Sequence, residues 1–499
     1  MKKDIFLFLT IFTLIIITYS IPVSSQEISI SDDTQTCIDC HNILHPGIVK
    51  EWEKSAHATI SPSEAVKKQG LESLISSEKI PDFLMKHSVG CAECHMMNSA
   101  DHKDSFDHSG YSVHTVVTPK DCSVCHSVES RQYEKNIMSH AYGNLMNNPV
   151  FTDLVMSING VQTFENMSVK TESPDGKTNA ESCLSCHGTD LKVKGTTTRE
   201  TDLGEMDFPV IEGWPNQGVG RVNPDGSNGS CAACHARHQF SIEMARKPDT
   251  CSQCHKGPDV PAYPVYKVSK HGNIYSSINR EWDFRSVPWT VGKDFTAPTC
   301  ATCHVSLLAN EEGDILVTRT HQMNDRLYKR IFGLIYAHPH PESPDTTIIK
   351  NKSGLPLPTE LTGEPVESFL IDNSEQGKRK TEMEKVCLSC HSTGWVEGHF
   401  DRFENTVKTT NHMTLTATQI LLSAWANGAA KGLDQKDSIF NEGIEKKWIE
   451  QWLFYANSTR FASAMAGADY GAFANGRYFL SKNIQDMIDW LKLRMKEEE

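Results

Sequence analysis

The spacing of hydrophobic residues changes near residue 398, and the remainder of the chain follows a helical period. Ile420 and Trp425 belong to one such series, in which apolar residues recur every three to four positions. Gly432 and Gly467 interrupt the series and are plausible helix stops. The pattern predicts three long helices, over residues 414–430, 441–465 and about 478–495.

The chain before residue 398 lacks this long period and is rich in turn residues. Gly213-Trp214-Pro215-Asn216 and Asn223-Pro224-Asp225-Gly226 indicate turns between short helices. Residues 339–380 are rich in Pro, Ser, Thr and Glu, which predicts a long surface loop. We therefore expect a body over residues 26–397 and a long-helix region over 398–499. Three long helices bury little within one chain, so we expect the second region to form an oligomer interface.

The first 25 residues form the pattern of a secretory signal peptide. Lys2 and Lys3 precede an apolar run over residues 5–17, and small residues at 23–25 offer a cleavage site. The run is short for a membrane span, although a retained anchor is the alternative. We expect a mature chain from about Gln26, exported to the periplasm or an equivalent compartment, with no transmembrane segment.

Cysteine supplies the main chemical signal. The chain has 16 Cys, and every one belongs to a C-x-x-C-H motif. The eight motifs are Cys37-Cys40-His41, Cys91-Cys94-His95, Cys122-Cys125-His126, Cys183-Cys186-His187, Cys231-Cys234-His235, Cys251-Cys254-His255, Cys300-Cys303-His304 and Cys387-Cys390-His391. Two such thiols bind one porphyrin covalently, and the histidine is the proximal iron ligand. A zinc site or a redox disulfide needs no histidine directly after the second cysteine. The sequence predicts eight c-type haems.

The composition fits this prediction and restricts the class of molecule that the protein is expected to bind. Only 38% of residues are hydrophobic, and haem macrocycles would supply the missing apolar surface. The net charge of −14 argues against binding to nucleic acid and suits a small cationic substrate or a basic redox partner.

The number of histidines does not determine how many haem irons have an open axial position. Of 22 His, eight are proximal, so 14 remain as candidate distal ligands. A haem with two histidine ligands transfers electrons, whereas a catalytic haem needs an open axial position. A pure electron conduit with every haem capped is therefore one alternative.

The strings that link the motifs resemble a known family. They include Gly218-Val219-Gly220-Arg221, His235-Ala236-Arg237-His238, Gly257-Pro258-Asp259 and Ser269-Lys270-His271-Gly272. With the order of the eight motifs, they resemble the octahaem hydroxylamine oxidoreductase family, which includes hydrazine dehydrogenases and reductive relatives. The resemblance implies a mostly α multihaem cytochrome c with a haem-rich N-terminal body and a C-terminal bundle of three long helices, assembled as a homotrimer.

The resemblance also implies which residues act. The fourth haem, on Cys183 and Cys186 with proximal His187, is then five-coordinate and catalytic, and Asp259 is an active-site acid or base. The expected distal ligands of the other seven haems are His57, His108, His140, His238, His271, His321 and His399.

Two departures from the family pattern bear on the reaction. Val260 stands where the family has a histidine after Asp259, and the surroundings of Tyr470 and Tyr478 lack the expected Trp-His-Gly of the Tyr–haem cross-link. We therefore expect a reductase that converts nitrite or hydroxylamine to nitric oxide or ammonium, fed by another c-type cytochrome or similar redox partner. The alternative is a hydroxylamine or hydrazine oxidase with the cross-link.

Overall fold

The computed structural model describes residues 28–201 and 204–497. The predicted signal peptide lies outside the described residues. Among the helices that are described, none combines the length and the apolar character needed to cross a bilayer.

Short helices build the body of the molecule. Proline fixes the first turn of several of them, as in the helices that begin at Pro119 and Pro149. The helices are α1 Asp32–Leu44, α2 Pro46–Glu53, α3 Ala56–Thr59, α4 Pro62–Ala65, α5 Cys91–His95, α6 Pro119–Ser123, α7 Ser127–Glu134, α8 Ala141–Met146, α9 Pro149–Asn159, α10 Gly176–Glu181, α11 Cys183–His187, α12 Ile242–Arg246, α13 Pro248–Ser252, α14 Ala262–Val268, α15 Lys270–Ile278 and α16 Cys300–His304. Several motifs therefore lie on one-turn helices, which bring the two thiols close together.

Small sheets, antiparallel except for the parallel pair β7 and β8, separate these helices, and the sequence analysis did not predict them. The hairpins are β1 Ser105–His108 with β2 Tyr111–His114, β3 Val161–Glu165 with β4 Ser168–Glu172, and β5 Lys192–Thr201 with β6 Gly204–Glu212. A three-stranded sheet joins β7 Trp289–Thr290, β8 Leu308–Ala309 and β9 Ile315–Val317, and β10 Lys329–Arg330 pairs with β11 His338–Pro339. In the last pair, Arg330 lies directly opposite His338.

The predicted C-terminal bundle of long helices is present, and the mostly α fold is confirmed. Its helices are α17 Asn373–Leu388, α18 Thr393–Ala426, α19 Gly443–Ile449, a π-helical stretch Glu450–Ala456, α20 Asn457–Met465, α21 Ala468–Ala472 and α22 Arg477–Glu497. α18 has 34 residues and starts well before the predicted residue 414. α19, the π-helical stretch and α20 run on as one helix.

The bundle buries a large apolar surface within its own chain. Trp448 and Trp452 are fully buried in a cluster that also contains Leu421 of α18 and Leu334 and Leu357 of the body. The Trp448 indole donates to Thr418 Oγ1 at 2.9 Å, so its polar group is satisfied. The expectation that these helices bury little within one chain is therefore wrong, because the body packs against them.

Residues 339–380 are not a surface loop. Leu357, Leu370 and Ile371 are buried, and α17 begins at Asn373. The segment has little regular structure but covers the bundle with its apolar side chains. Its Pro and Ser content reflects irregular backbone and not exposure.

Candidate active site and haem ligands

The chemistry of the donor set fits covalent haem. All sixteen cysteines lie in the described ranges as free thiols, each in a C-x-x-C pair followed by histidine. The motif backbones close one helical turn; for example, the His95 end of α5 follows Cys91 on a single five-residue helix. These residues would hold c-type haem through two thioethers and one imidazole.

Four motif histidines face a predicted distal histidine at the spacing of two axial ligands, and a fifth, His95, faces His114 at 6.1 Å. Two iron–nitrogen bonds of roughly 2 Å place the imidazole centroids about 6 to 6.5 Å apart. The observed centroid separations are 6.1 Å for His41 and His108, 6.3 Å for His126 and His57, 6.5 Å for His235 and His321, and 6.1 Å for His391 and His271. The structure thus assigns partners that the sequence left unassigned, and their ligand role stays a prediction.

The other three predicted distal histidines are placed less directly. Burial lowers the pKa of His238, and the charge of His95 lowers it further, so His238 lies near this motif histidine. His140 has its Nε2 3.0 Å from the Glu134 carbonyl oxygen, and His399 stacks on Trp395 at 5.3 Å. Within the described part of the chain, neither the His140 ring nor the His399 ring pairs with the ring of a motif histidine.

A glycine-rich string supports the fourth motif. Val219 N donates to the Cys186 carbonyl at 3.0 Å, and Asn216 Nδ2 donates to the Leu184 carbonyl at 2.9 Å. A Cβ on Gly218 would lie 2.2 Å from the backbone nitrogen of Gly188, so only glycine permits this approach. The string Gly218-Val219-Gly220-Arg221 therefore holds α11 in place.

His187 is oriented as a proximal ligand should be. Its Nδ1 lies 3.3 Å from the Ala141 carbonyl oxygen, which favours a proton on Nδ1 and leaves Nε2 free for iron. Burial lowers the pKa of His187, while the nearby Asp259 charge raises it. The ring is therefore neutral, as metal ligation requires.

Asp259 lies near this motif on an exposed turn. Its charge acts on the pKa of both His187 and His255, in each case against the larger effect of burial. The Asp259 carbonyl accepts a hydrogen bond from the fully buried Asn457 at 2.8 Å. The bundle thus fixes the backbone position of the predicted active-site acid.

Arg330 and His338, which the sequence analysis did not select, complete the surroundings of the fourth motif. They form one rung of β10 and β11, so both side chains lie on the same face. With Asn148, Phe151 and Leu334 they line a cavity of about 20 Å³, enough for one water-sized molecule. Phe151 and Cys183 both pack against the buried cluster that contains Leu184, which places the cavity near α11.

The two side chains of this rung differ in charge. Burial lowers the pKa of Arg330 to about 10, so the guanidinium stays cationic at neutral pH. Burial, followed by the Arg330 charge, lowers the pKa of His338 to about 3, so that imidazole is neutral. Over the residues described, no salt bridge or hydrogen bond engages the Arg330 guanidinium, which only faces the Phe332 ring at 5.5 Å.

A polar clamp from the bundle, formed by Asn411, Asn457 and Arg460, holds the segment between these strands. Asn411 exchanges hydrogen bonds with both backbone groups of Ala337, at 3.0 and 2.8 Å. Arg460 is fully buried and donates to the Ile331 carbonyl at 3.2 Å and to Asn411 Oδ1 at 2.8 Å. The clamp fixes Arg330 and His338 from a distant part of the sequence.

Val260 and Tyr470, which belong to the two stretches that differ from the family pattern, lie in one apolar cluster. Val260, Phe461 and Tyr470 pack together with Val265, and Tyr478 is 56% exposed in this chain. Tyr470 thus packs at the start of a short helix within its own subunit.

Comparisons with known proteins agree on multihaem cytochromes. Residues 223–324 match a family described as "Seven times multi-haem cytochrome CxxCH", and residues 36–127 match "Cytochrome c554 and c-prime". A solved structure titled "Hypothetical multiheme protein" is 41% identical, with a TM-score of 0.88, over 95% of this chain and 98% of that one.

The names of more distant relatives refer to nitrogen chemistry. A "Probable nitrite reductase-hydroxylamine oxidoreductase fusion protein" of Kuenenia stuttgartiensis is 26% identical over 375 residues, which is 72% of this chain. This chain spans about a third of that curated relative, 34% of its length. A reducing HAO-like protein complex of Kuenenia stuttgartiensis is 16% identical with a TM-score of 0.59, covering 93% of this chain and 86% of that one, and shares the fold.

Proposed function

Because this chain belongs to the multihaem c-type cytochromes that resemble hydroxylamine oxidoreductase, we propose that it reduces small oxidised nitrogen compounds, with nitrite as the preferred substrate. The reaction takes place beside His187, at the haem on Cys183 and Cys186. Reduction to nitric oxide consumes one electron and two protons and releases water; continued reduction yields ammonium. When bound, the haem supplies electrons and an open axial position.

The partly buried cation of Arg330, which has no ion-pair partner among the described residues, carries this proposal. A guanidinium that is partly removed from water and lacks a carboxylate is stabilised when an anion binds it. Nitrite is a planar anion whose two oxygens suit the guanidinium fork, whereas hydrazine offers no negative charge. Arg330 therefore favours an oxidised, anionic substrate over a neutral nitrogen hydride.

His338 supplies what Val260 lacks. Its Nδ1 lies 2.6 Å from the Pro339 carbonyl oxygen and donates to it, which leaves a lone pair on Nε2. An anion on Arg330 would offset the cation that depresses the pKa of His338, and so would make Nε2 easier to protonate. Since burial remains the larger cause of its low pKa, His338 would relay a proton rather than hold it, and Asp259 provides a second proton carrier nearby.

The remaining features complete the proposal. Eight haems are expected, seven of them capped by histidine as an electron relay. The mature protein would be exported to the periplasm or a similar compartment as a homotrimer, and another c-type cytochrome would deliver its electrons.

The test compares nitrite, hydroxylamine and hydrazine in both electron directions for purified holoprotein and three variants. Arg330→Gln should raise KM for nitrite by about 10- to 100-fold, the value of a charged hydrogen bond, and should change KM for uncharged hydroxylamine little. Arg330→Lys keeps the charge and should lose less. Arg199→Gln, on the exposed hairpin of β5 and β6, is the matched control. Equal losses for both substrates, or rapid oxidation of hydroxylamine without nitrite reduction, would contradict the proposal.

A further inference from the structure

His102, His114 and Asp121 form a buried cluster that the haem sites do not use. Their side chains are almost fully enclosed, and one ligand atom from each lies within 4.8 Å of the others. The two imidazoles stack with ring centroids 3.5 Å apart and an interplanar angle of 14°. We propose that this cluster is a binding site for a divalent transition-metal ion such as zinc.

The histidine nitrogens converge on one carboxylate. His102 Nε2 lies 3.3 Å from Asp121 Oδ1, and His114 Nε2 lies 3.8 Å from Asp121 Oδ2. Two imidazole nitrogens and a carboxylate oxygen are a donor set that zinc binds well, with a water as fourth ligand. Calcium and magnesium prefer sites made only of oxygen atoms.

His114 is the observation that points to a ligand. Only 1% of the residue is exposed, and neither of its ring nitrogens has a hydrogen-bond partner. A buried polar side chain in a native protein almost always has a partner, and leaving one unpaired costs about 1 to 3 kcal/mol. A metal ion bound at Nε2 would satisfy it.

Asp104 prepares His102 for metal binding. Its Oδ1 lies 3.2 Å from His102 Nδ1, so that nitrogen carries the proton and Nε2 keeps its lone pair. The other Asp104 oxygen accepts from the backbone nitrogens of Thr115 and Val116, at 3.1 and 2.9 Å. A carboxylate behind a ligating histidine is the usual outer arrangement of zinc sites.

Charge balance also favours a dication. Asp104 and Asp121 bring two negative charges into a closed site, and a divalent ion with two neutral imidazoles makes the group neutral.

His114 does not serve as a haem ligand here. Its ring centroid is 6.1 Å from that of His95, the spacing of an axial pair. However, His95 Nδ1 bonds to the carbonyl oxygen of His114 itself at 2.8 Å, so the iron-binding Nε2 points elsewhere. The ion would instead connect β2, which ends at His114, with α6, where Asp121 directly precedes the third haem motif.

Zinc content per chain tests the proposal on the holoprotein. After loading with zinc and desalting, elemental analysis should find one zinc per wild-type chain and none retained by His114→Phe, which keeps a stacked ring without a ligand. His412→Phe, at an exposed position of α18, should retain the zinc. Asp104→Asn should weaken binding by about 10- to 100-fold while leaving the direct ligands intact.

X-ray absorption at the zinc edge keeps the test independent of variant folding. The wild-type protein should show a shell of light atoms at about 2.0 Å with two imidazoles. A wild-type chain that retains no zinc, or zinc retained equally by His114→Phe, would overturn the proposal. The cluster would then be a network in which His102 bridges two carboxylates.

Discussion

The rung between Arg330 and His338 decides the charge of the active site at the scale of single residues. One side chain is a partly buried cation, and the other is a buried, neutral imidazole held by its own backbone. Nothing in the local sequence distinguishes either residue, because their meeting depends on a two-residue strand pairing across a seven-residue connection. The charge of the site is therefore readable only from the fold.

His340 gives a prediction about acid stability. It is fully buried, and burial lowers its pKa to about 3, below the ordinary value of 6.5. Because the unfolded chain takes up the proton first, this stability is complete above about pH 6.5 and is lost as pH falls toward 3, by about 1.4 kcal/mol per pH unit.

His340→Asn removes this titration and can still donate to the Pro341 carbonyl, which His340 Nδ1 contacts at 3.0 Å. Chemical denaturation between pH 7 and pH 4 should show a flatter loss of unfolding free energy in the variant. His412→Asn, at an exposed site, should follow the wild type. Parallel pH profiles for all three proteins would contradict the prediction.

At the scale of elements, α11 depends on a neighbouring string more than on its own sequence. Its five residues make one turn, and the glycines at 218 and 220 allow the supporting backbone to approach it closely. The family resemblance drew attention to this string before its role was visible. The structure shows that it supports the fourth haem motif.

Gly218→Ala should therefore disturb the fourth motif selectively. The new methyl group would meet backbone atoms of Gly188, which cannot move aside like a flexible side chain. We expect weakened cyanide or nitric oxide binding, measured by electron paramagnetic resonance, with the signals of the other haems preserved. Gly377→Ala is the control, because it has open space in the middle of α17. Ligand binding identical in both variants would show that the contact has no such role.

The sequence predicted elements well where one period extended over many residues. The three long helices were found because apolar residues repeat over several turns, although α18 begins earlier, at Thr393. The hairpins were not predicted because β1 to β4 have only four or five residues each, and the longer β5 is mostly polar. The sequence did contain one local turn signal, the dipeptide Ser109-Gly110. In the structure both residues have positive φ, of 57° and 87°, in the turn between β1 and β2.

Residues that act together from distant positions were harder to foresee. The thiols and proximal histidines of the haem sites were visible because the motif is local. The pairing of His41 with His108, or of His391 with His271, depends on the fold of the body. The clamp residue Arg460 was not predicted, because most of its partners are remote in sequence. Apart from Asn457, they lie in α18, about fifty positions away, and at Ile331, 129 positions away.

At the scale of the whole molecule, haem count is the first prediction. All eight motifs place two cysteines and a histidine in the same local arrangement, so each should carry one haem. Mass spectrometry of the intact exported protein should give a chain starting near Gln26 plus eight porphyrins. A Cys183→Ala, Cys186→Ala double variant should lose one of them. A wild-type mass with seven or fewer would contradict the count.

The assembly can be tested together with the direction of catalysis. Tyr470 packs within its own subunit and Tyr478 is exposed, and neither has the expected family surroundings. We therefore expect a native trimer by size-exclusion chromatography with light scattering that separates into single chains on denaturing electrophoresis. A trimer that survives boiling would establish a covalent link between subunits and favour the oxidase. Its loss in Tyr470→Phe or Tyr478→Phe would identify the residue.

The polar clamp implies an order of events during biosynthesis. Asn411, Asn457 and Arg460 belong to the last fifth of the chain, whereas every haem motif precedes them. The enzymes that attach haem need accessible thiols. The thiols of an emerging polypeptide are accessible before the C-terminal bundle has folded. The segment with Arg330 and His338 acquires its final position only when the bundle docks. A newly exported chain would thus acquire its haems first and its anion selectivity last, so that activity would begin only after the bundle has docked.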